Sequence, residues 1–514
     1  MPTTTSSLSK IKTFQEIEEI LQTARKNKLK IVECHGVFDL IHPGHIRHFK
    51  RAKAEGDILV VTITPDRFVN KGPGRPVFTE TLRLESIAAL ADVDYVVLND
   101  APDAVSAIKK IKPNLYVKGL EYSNAADDVT GKITEEVKAV EAVGGRVFFT
   151  DDIVFSSSSL LNRFFDAKSP EVTAFLNGFR ETYQVDEIIR KIDDLSKLKV
   201  LVIGDAIIDE YQYSDPMGQS GKGHHMVIRS LDRDVFLGGS LIIANHLAQF
   251  AGEVTLVTAV GKECPYLQFI RANLDPKVHQ EFTYLEETTT LIKKRYVLKD
   301  GRTLSKLFET YSGQEDPLNH KQTHRILDYL QSNAANYDLV LVCDFGNGFT
   351  NPAIIDAIPE TAKFLALNTQ MNSGNRGYNV VTNYRKANFI SVNEPELRLA
   401  AHDKNSSVEG LAADISQIMH CPSIAVTRGI NGVYCFSTNE PSTQIPALIT
   451  NSVDRIGAGD SFLALSSLCM AKGYPMLLAG FLGSLAAAMS IQMIGNLEAI
   501  KKVPLTKFLI RMMK

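Results

Sequence analysis

The chain has 514 residues, an apolar content of 44% and a formal net charge of −3. That length divides into two or three domains rather than one core, and the charge balance gives no reason to expect a nucleic-acid or membrane surface. Six scattered cysteines (Cys34, Cys264, Cys343, Cys421, Cys435 and Cys469) have no metal or disulfide spacing and read as the reduced thiols of a cytoplasmic protein. The opening MPTTTSSLSK has no apolar stretch of the kind a signal peptide needs. The most apolar segment, 465–495, is broken by Lys472, Gly473 and Pro475, so it reads as two buried helices rather than a membrane span.

In chain order, residues 12–28 are helical in pattern and 30–34 form a strand. The glycine turn and the HPGH helix follow, then a strand at 57–64 and a basic loop at 70–78. A helix at 80–91, a strand at 93–98, a helix at 103–111, a strand at 114–119, a helix at 131–143 and a strand at 145–150 continue the alternation. This pattern predicts a Rossmann-like parallel α/β sheet covered on both faces. The run FSSSSLLNRFF at 155–165 reads as a capped closing helix. A first domain over 1–165 is thus expected, and a polar helical connector over 166–196. A second α/β domain follows over 197–514. It opens on the buried strand LKVLVIGDAIIDEY and a polar β-rich stretch to about 237, followed by a helix at 238–252. A hairpin at 289–310 adds a small sheet, and strands at 338–346, 388–393, 423–429 and 432–437 complete the reading.

The first chemical motif is GVFDLIHPGH at 36–45, directly after a strand. Gly36 lets a nucleotide approach the backbone. His42 and His45 stand three apart at a helix N-terminus, where free N–H groups favour phosphate and two imidazoles can stabilise charge on an α-phosphoryl group. Lys71 and Arg75, in the glycine-rich loop, can neutralise a pyrophosphate leaving group. Ser156, Ser157 and Ser158 offer hydroxyls and N–H groups to further phosphate oxygens. A zinc site lacks a third ligand.

These residues, over 30–165, resemble the cytidylyltransferase-like nucleotidyltransferases, in particular the nucleotidyltransferase half of the bifunctional heptose kinase/adenylyltransferases of ADP-heptose synthesis. Gly36, Phe38, Asp39, His42, Gly44 and His45 match the family's first motif. The resemblance implies nucleotide-binding roles for Arg83 and Lys118, and three serines stand where the family has Ser-Thr-Thr.

The second motif is GAGD at 457–460. Gly457, Ala458 and Gly459 at a helix start form an anion hole, and Asp460 is placed to take a proton from a sugar hydroxyl. Asn393 and Glu396 of NEPE can hold Mg²⁺ through water. Thr427, Gly429 and Gly432 of TRGINGV let the backbone approach ATP. The three motifs in this order resemble the ribokinase-like (PfkB) carbohydrate kinases over 198–514, again nearest the heptose kinase half. That resemblance implies sugar contacts from Asp205, Asp209, Gly238 and Gly239, and a β lid that often pairs into a dimer. Lys293, Lys294 and Arg295 on the lid have two readings, a solvated strand face or a grip on a substrate phosphate.

Three departures stand out. Ile242 and Ile243 occupy the stretch where the family has a sugar-binding asparagine, and Asn245 comes too late. NTQ at 368–370 replaces Asp-Pro-Lys. The transferase-type domain precedes the kinase-type domain, the reverse of the heptose enzymes. The expected function is phosphorylation of a sugar or sugar phosphate with Mg²⁺ and ATP, joined to transfer of a nucleotidyl group, from ATP or CTP, to a sugar 1-phosphate. The alternative is an active transferase whose kinase-like domain serves dimerisation or sensing. Expected partners are small-molecule sugar phosphates, nucleoside triphosphates and a second copy of the chain, with no nucleic acid and no membrane.

Overall fold

A computed structural model describes residues 7–69, 76–119, 132–150, 169–300, 303–313 and 317–513. The chain divides into two compact units, Met1–Ala167 and Lys168–Lys514.

The first unit holds β1 (Ile11–Lys12), β2 (Ile31–Gly36), β3 (Ile58–Ile63), β4 (Tyr95–Leu98), β5 (Leu115–Gly119) and β6 (Arg146–Thr150), all parallel, in the order β1-β4-β3-β2-β5-β6. Alternation along β2 separates the two faces. Val32 and Cys34 pack with Phe49 of the helix Pro43–Ala54, whereas Ile31 joins Ile17 and Leu21 of the helix Phe14–Lys26 on the other side. The carboxyl ends of β2 and β3 therefore open beside the start of the HPGH helix, where an open α/β sheet places ligands. The closing helix expected at 155–165 lies outside the described residues.

The second unit contains β7 (Lys199–Gly204), β8 (Ala206–Gln219), β9 (Met226–Gly239), β10 (Glu253–Gly261), β11 (Val278–Leu285), β12 (Leu291–Asp300), β13 (Thr303–Ser312), β14 (Leu339–Asp344), β15 (Leu365–Thr369), β16 (Phe389–Asn393), β17 (Ser423–Thr427), β18 (Val433–Ser437) and β19 (Thr443–Ile445). Nine of these form one sheet, β11-β10-β7-β14-β15-β16-β17-β18-β19, parallel as far as β17 and antiparallel beyond. The other four form a small sheet, β13-β12-β8-β9. In the large sheet, Val200 and Val202 of β7 face one core and Leu201 and Ile203 face the other. Helices cover both faces, as a parallel sheet requires.

The helices Pro170–Thr182 and Val185–Asp194, expected as a connector, are built into this unit. Val172, Leu176, Phe179, Ile188 and Ile192 recur at helical spacing and pack into the core with Phe481. The apolar segment 465–495 folds as expected into two buried helices, Ala458–Ala471 and Met476–Ser490. Among the described residues no helix is long and apolar enough to cross a membrane, and all six cysteines are free and buried.

Candidate active sites

In the first unit, His42 is the N-cap of the helix Pro43–Ala54. Gly44 N–H donates to its Nδ1 at 3.1 Å, which leaves Nε2 to carry the proton of the neutral ring. That Nε2 is buried and has no partner among the described residues. Burial lowers the His42 pKa, so the ring is a neutral hydrogen-bond donor at neutral pH. His45 stacks on it, centroids 3.8 Å apart and planes 27° apart, and meets the Phe38 ring edge-on at 5.3 Å. Phe38 has a left-handed backbone (φ 46°), and a Cβ on Gly36 would come within 3.0 Å of its ring. Gly36 and Phe38 thus shape the turn that presents the two imidazoles.

Three residues expected at the nucleotide have other work. Asp39 is buried, and its Oδ1 accepts from Val77 N at 2.6 Å and Phe78 N at 3.2 Å, anchoring the chain just after the basic loop. Arg83 is fully buried. It donates to the carbonyls of Phe78, Val37 and Thr64 and pairs with Asp66 at 2.6 Å. Its guanidinium binds the loops together. Lys118 pairs with Glu136 at 2.8 Å beneath the sheet edge. Lys71, Arg75, Ser156, Ser157 and Ser158 lie outside the described residues.

In the second unit, the helix Ala458–Ala471 begins after Gly457, which has φ 82° and no capping side chain, so its first N–H groups are available to an anion. Glycine suits position 457 because φ 82° is left-handed, and a Cβ there would also lie 2.0 Å from Asn496 Oδ1. The loop before it is anchored by Asp454, whose carboxylate accepts from Tyr211 Oη at 2.6 Å, Gly495 N at 3.0 Å and Ile456 N at 3.2 Å. Asp460, in the first turn, is 8% exposed and accepts from Gln370 Nε2 at 3.3 Å. Burial, then the facing Asp209, pushes its pKa up to about 7, against the opposing pull of Lys293, the range expected of a general base at neutral pH.

Asp460 opens into a polar cavity of roughly 740 Å³, also lined by Asp209, Lys293, Arg295, Gln370 and Glu396. Asp209 forms an ion pair with Arg295, and the absence of a Cβ on Gly238 makes room for its carboxylate. Lys293 is 6% exposed with its pKa lowered by burial, and its ammonium lies over the Tyr311 and Phe345 rings. An apolar slot of roughly 210 Å³ adjoins the cavity and shares Thr427, Gly429, Arg455 and Gly459 with it. Gly432 lines this slot at φ 78°, where a Cβ would strike Ile445 O. A flat apolar slot leading to an anion hole suits a nucleotide triphosphate.

Asn393 and Glu396 form a reciprocal capping box, with Glu396 N donating to Asn393 Oδ1 at 2.8 Å and Asn393 N to Glu396 Oε2 at 2.9 Å. Among the described residues no three His, Cys, Asp or Glu side chains cluster to hold a metal by themselves. Glu396, its pKa raised to about 7 by burial, lines the cavity and offers oxygen atoms alone. This fits a hard cation that keeps its waters and arrives on phosphates.

The pfkB carbohydrate kinase model matches residues 197–502, and the cytidylyltransferase-like model matches 34–164. The chain belongs to the pfkB carbohydrate kinase family. Its pfkB half follows, and does not precede, the cytidylyltransferase-like half. The bifunctional protein HldE of Campylobacter concisus is 35% identical over 164 residues, 32% of each chain. That of Trichlorobacter lovleyi is 24% identical over 304 residues, 59% of this chain and 61% of the relative. The chain thus spans between about a third and three fifths of the curated relatives it matches. Phosphofructokinase-2 of Escherichia coli, in its tetrameric inhibited form, superposes with a TM-score of 0.51 at 12% identity, covering 62% of this chain and all of that one. The likeness is one of fold.

The residues expected at a sugar in the pfkB half separate. Asp209, Gly239 and, behind the Asp209 carboxylate, Gly238 stand at the cavity. Asp205 does not line it. Its carboxylate accepts from Phe345 N at 2.8 Å and Phe349 N at 3.2 Å, bracing the loop after β14. Ile242 and Ile243 are buried in the core, and Asn245 braces the turn at Asn273 and Asp275. Gln370, of the divergent NTQ, instead reaches Asp460. Lys293 and Arg295 point into the cavity while Lys294 pairs with Glu210 outside it, a split that strand alternation at 293–295 signals.

Proposed function

We propose that this protein is a bifunctional enzyme of nucleotide-activated sugar synthesis. One half phosphorylates a sugar phosphate from ATP, and the other joins a nucleotide to a sugar 1-phosphate with release of pyrophosphate. The observation that carries the reading is the buried carboxylate of Asp460, set at an uncapped helix N-terminus where a polar cavity meets an apolar slot.

In the kinase half, ATP lies with its base in the slot and its γ-phosphate at the Gly457–Gly459 amides. Asp460 takes the proton as the sugar oxygen bonds to the γ-phosphorus, the bond to the bridging oxygen breaks, and ADP leaves. Mg²⁺, when bound on the phosphates near Glu396, neutralises their charge. Asp209 orients sugar hydroxyls, and Lys293 with Arg295 meets the phosphate that the sugar already carries. Heptose 7-phosphate is the proposed acceptor, by likeness to HldE. In the transferase half, the sugar phosphate attacks the α-phosphorus in line, and His42 Nε2 and His45 donate to the oxygens on which charge builds. Lys71 and Arg75 receive pyrophosphate. ATP is the proposed donor.

A second copy pairs through the small sheet, where Met217, Leu231 and Phe308 expose large apolar side chains. The buried free thiols support a reducing, cytoplasmic setting.

The test separates two products. Purified protein is given ATP or CTP with a panel of sugar phosphates, and ADP and pyrophosphate are assayed independently. ADP formation lost in Asp460→Asn and pyrophosphate release lost in His45→Ala support the reading. Pyrophosphate release alone, unchanged in Asp460→Asn, would leave the kinase half without catalysis.

A further inference from the structure

The loop before the anion hole carries one arginine whose surroundings set it apart. Asp454 and Ile456, on either side of Arg455, are both held inward. Asp454 accepts from Tyr211 and Gly495, and Ile456 packs with Tyr211, Phe236 and Val297. Arg455, between them, lies on the outer side of the loop. It is exposed, and its one contact among the described residues is a long hydrogen bond from Nε to Ser452 Oγ at 3.4 Å. Its two terminal nitrogens are unengaged. Arg455 lines both the apolar slot and the polar cavity, two residues before the uncapped helix start.

A ligand spanning slot and cavity must carry its charge past this point. A guanidinium with both terminal nitrogens unengaged is the side chain suited to two oxygens of one phosphate. Resting on the kinase reading above, we infer that Arg455 binds the non-transferred phosphates of ATP and stabilises the leaving ADP. As the sugar oxygen bonds to the γ-phosphorus, the bond from γ-phosphorus to the β–γ bridging oxygen breaks. The electron pair stays with that oxygen, and the sugar's proton goes to Asp460. Negative charge thus accumulates on the β-phosphate, and the Arg455 cation is placed to meet it. Arg455 would act in the transition state as well as in binding.

The test uses the full chain. ADP formation is measured against ATP concentration at fixed sugar phosphate, and against sugar phosphate at fixed ATP, for wild type, Arg455→Ala and Arg455→Lys. Arg455→Ala is expected to lower kcat/KM for ATP about 10- to 100-fold, the worth of one or two charge-assisted hydrogen bonds. The KM for sugar phosphate should hold, and Arg455→Lys should recover part of the loss. Thermal melting of each variant reports on folding, and an unchanged pH dependence of kcat shows that Asp460 has not moved. An unchanged kcat/KM for ATP, or a rise confined to the KM for sugar phosphate, would overturn the inference while leaving the kinase reading intact. No ADP from the wild type with any acceptor would remove the kinase reading first.

Discussion

Gln370 donates from Nε2 to Oδ1 of Asp460 across 3.3 Å. The same glutamine takes its backbone N–H to Asp344 O at 2.8 Å, so the end of β15 fixes the orientation of the carboxylate. Gln370→Leu is expected to raise the pKa of Asp460 further, by removing a donor to its ionised form. The pH profile of ADP formation should shift to higher pH, read in kcat against pH. An unmoved profile would refute the role.

Asp460 itself makes two opposed predictions. A base acts when deprotonated, so kcat for ADP formation should rise with pH and level off above about 7. Stability should run the other way. The unfolded chain loses this proton near the ordinary value of 3.8 and the folded chain near 7, so the folded state holds more protons between them and loses stability as pH rises through that window. Asp460→Asn, which never ionises, should abolish ADP formation and melt higher than wild type at alkaline pH. A variant that melts lower there would contradict the burial argument.

His42 combines a cap and a donor, and substitution can separate them. Asn at this position keeps an acceptor for the helix N-terminus but offers no imidazole Nε2. His42→Asn is expected to hold the melting temperature and lower pyrophosphate release about 100-fold. His42→Ala should lose both, with the cap costing about 1 kcal/mol.

Arg83 is predicted to matter to folding rather than to nucleotide affinity. Arg83→Ala leaves Asp66 and three carbonyls without their buried partner, at a cost of about 3–5 kcal/mol. Denaturant unfolding should show the loss in the first unit. If the variant folds normally but its KM for nucleotide rises steeply, Arg83 reaches a phosphate after all.

The motifs that carry chemistry were legible because each is local. GVFDLIHPGH and GAGD are strand-to-helix turns whose glycines, caps and polar groups lie within one short segment. Alternating strands and helices likewise announced the sheets. What the sequence hid is long-range. Asp39 and Arg83 sit in motif positions, yet apart from Phe78 the partners named for them lie 17 to 46 residues away in the chain, and nothing local distinguishes a side chain that braces a loop from one that meets a phosphate. Asp205 is the same case across 140 residues. The helices at 170–194 are ambiguous in sequence for a different reason. Their polar faces suggest a connector, while an apolar stripe at Val172, Leu176 and Phe179 already required a core to bury it. β10 and β15 carry no strand signal of their own because buried parallel strands read as plain apolar runs, and β11, at the sheet edge, carries the polar run at 279–281 that hides it.

Tyr211 belongs to β8, the strand that also carries Asp209, yet its hydroxyl ends on Asp454 in the loop that forms the anion hole. β8 leaves the large sheet directly after Asp205 and β9 returns at Gly239, where the next helix begins. On the kinase reading proposed above, the Tyr211 hydroxyl therefore ties the strand beside the acceptor to the loop before the phosphate cradle, like the pivot of a lever. On that reading Tyr211→Phe, which removes the tie and keeps the ring, is expected to uncouple acceptor occupancy from ATP affinity, checked by equilibrium ATP binding with and without acceptor.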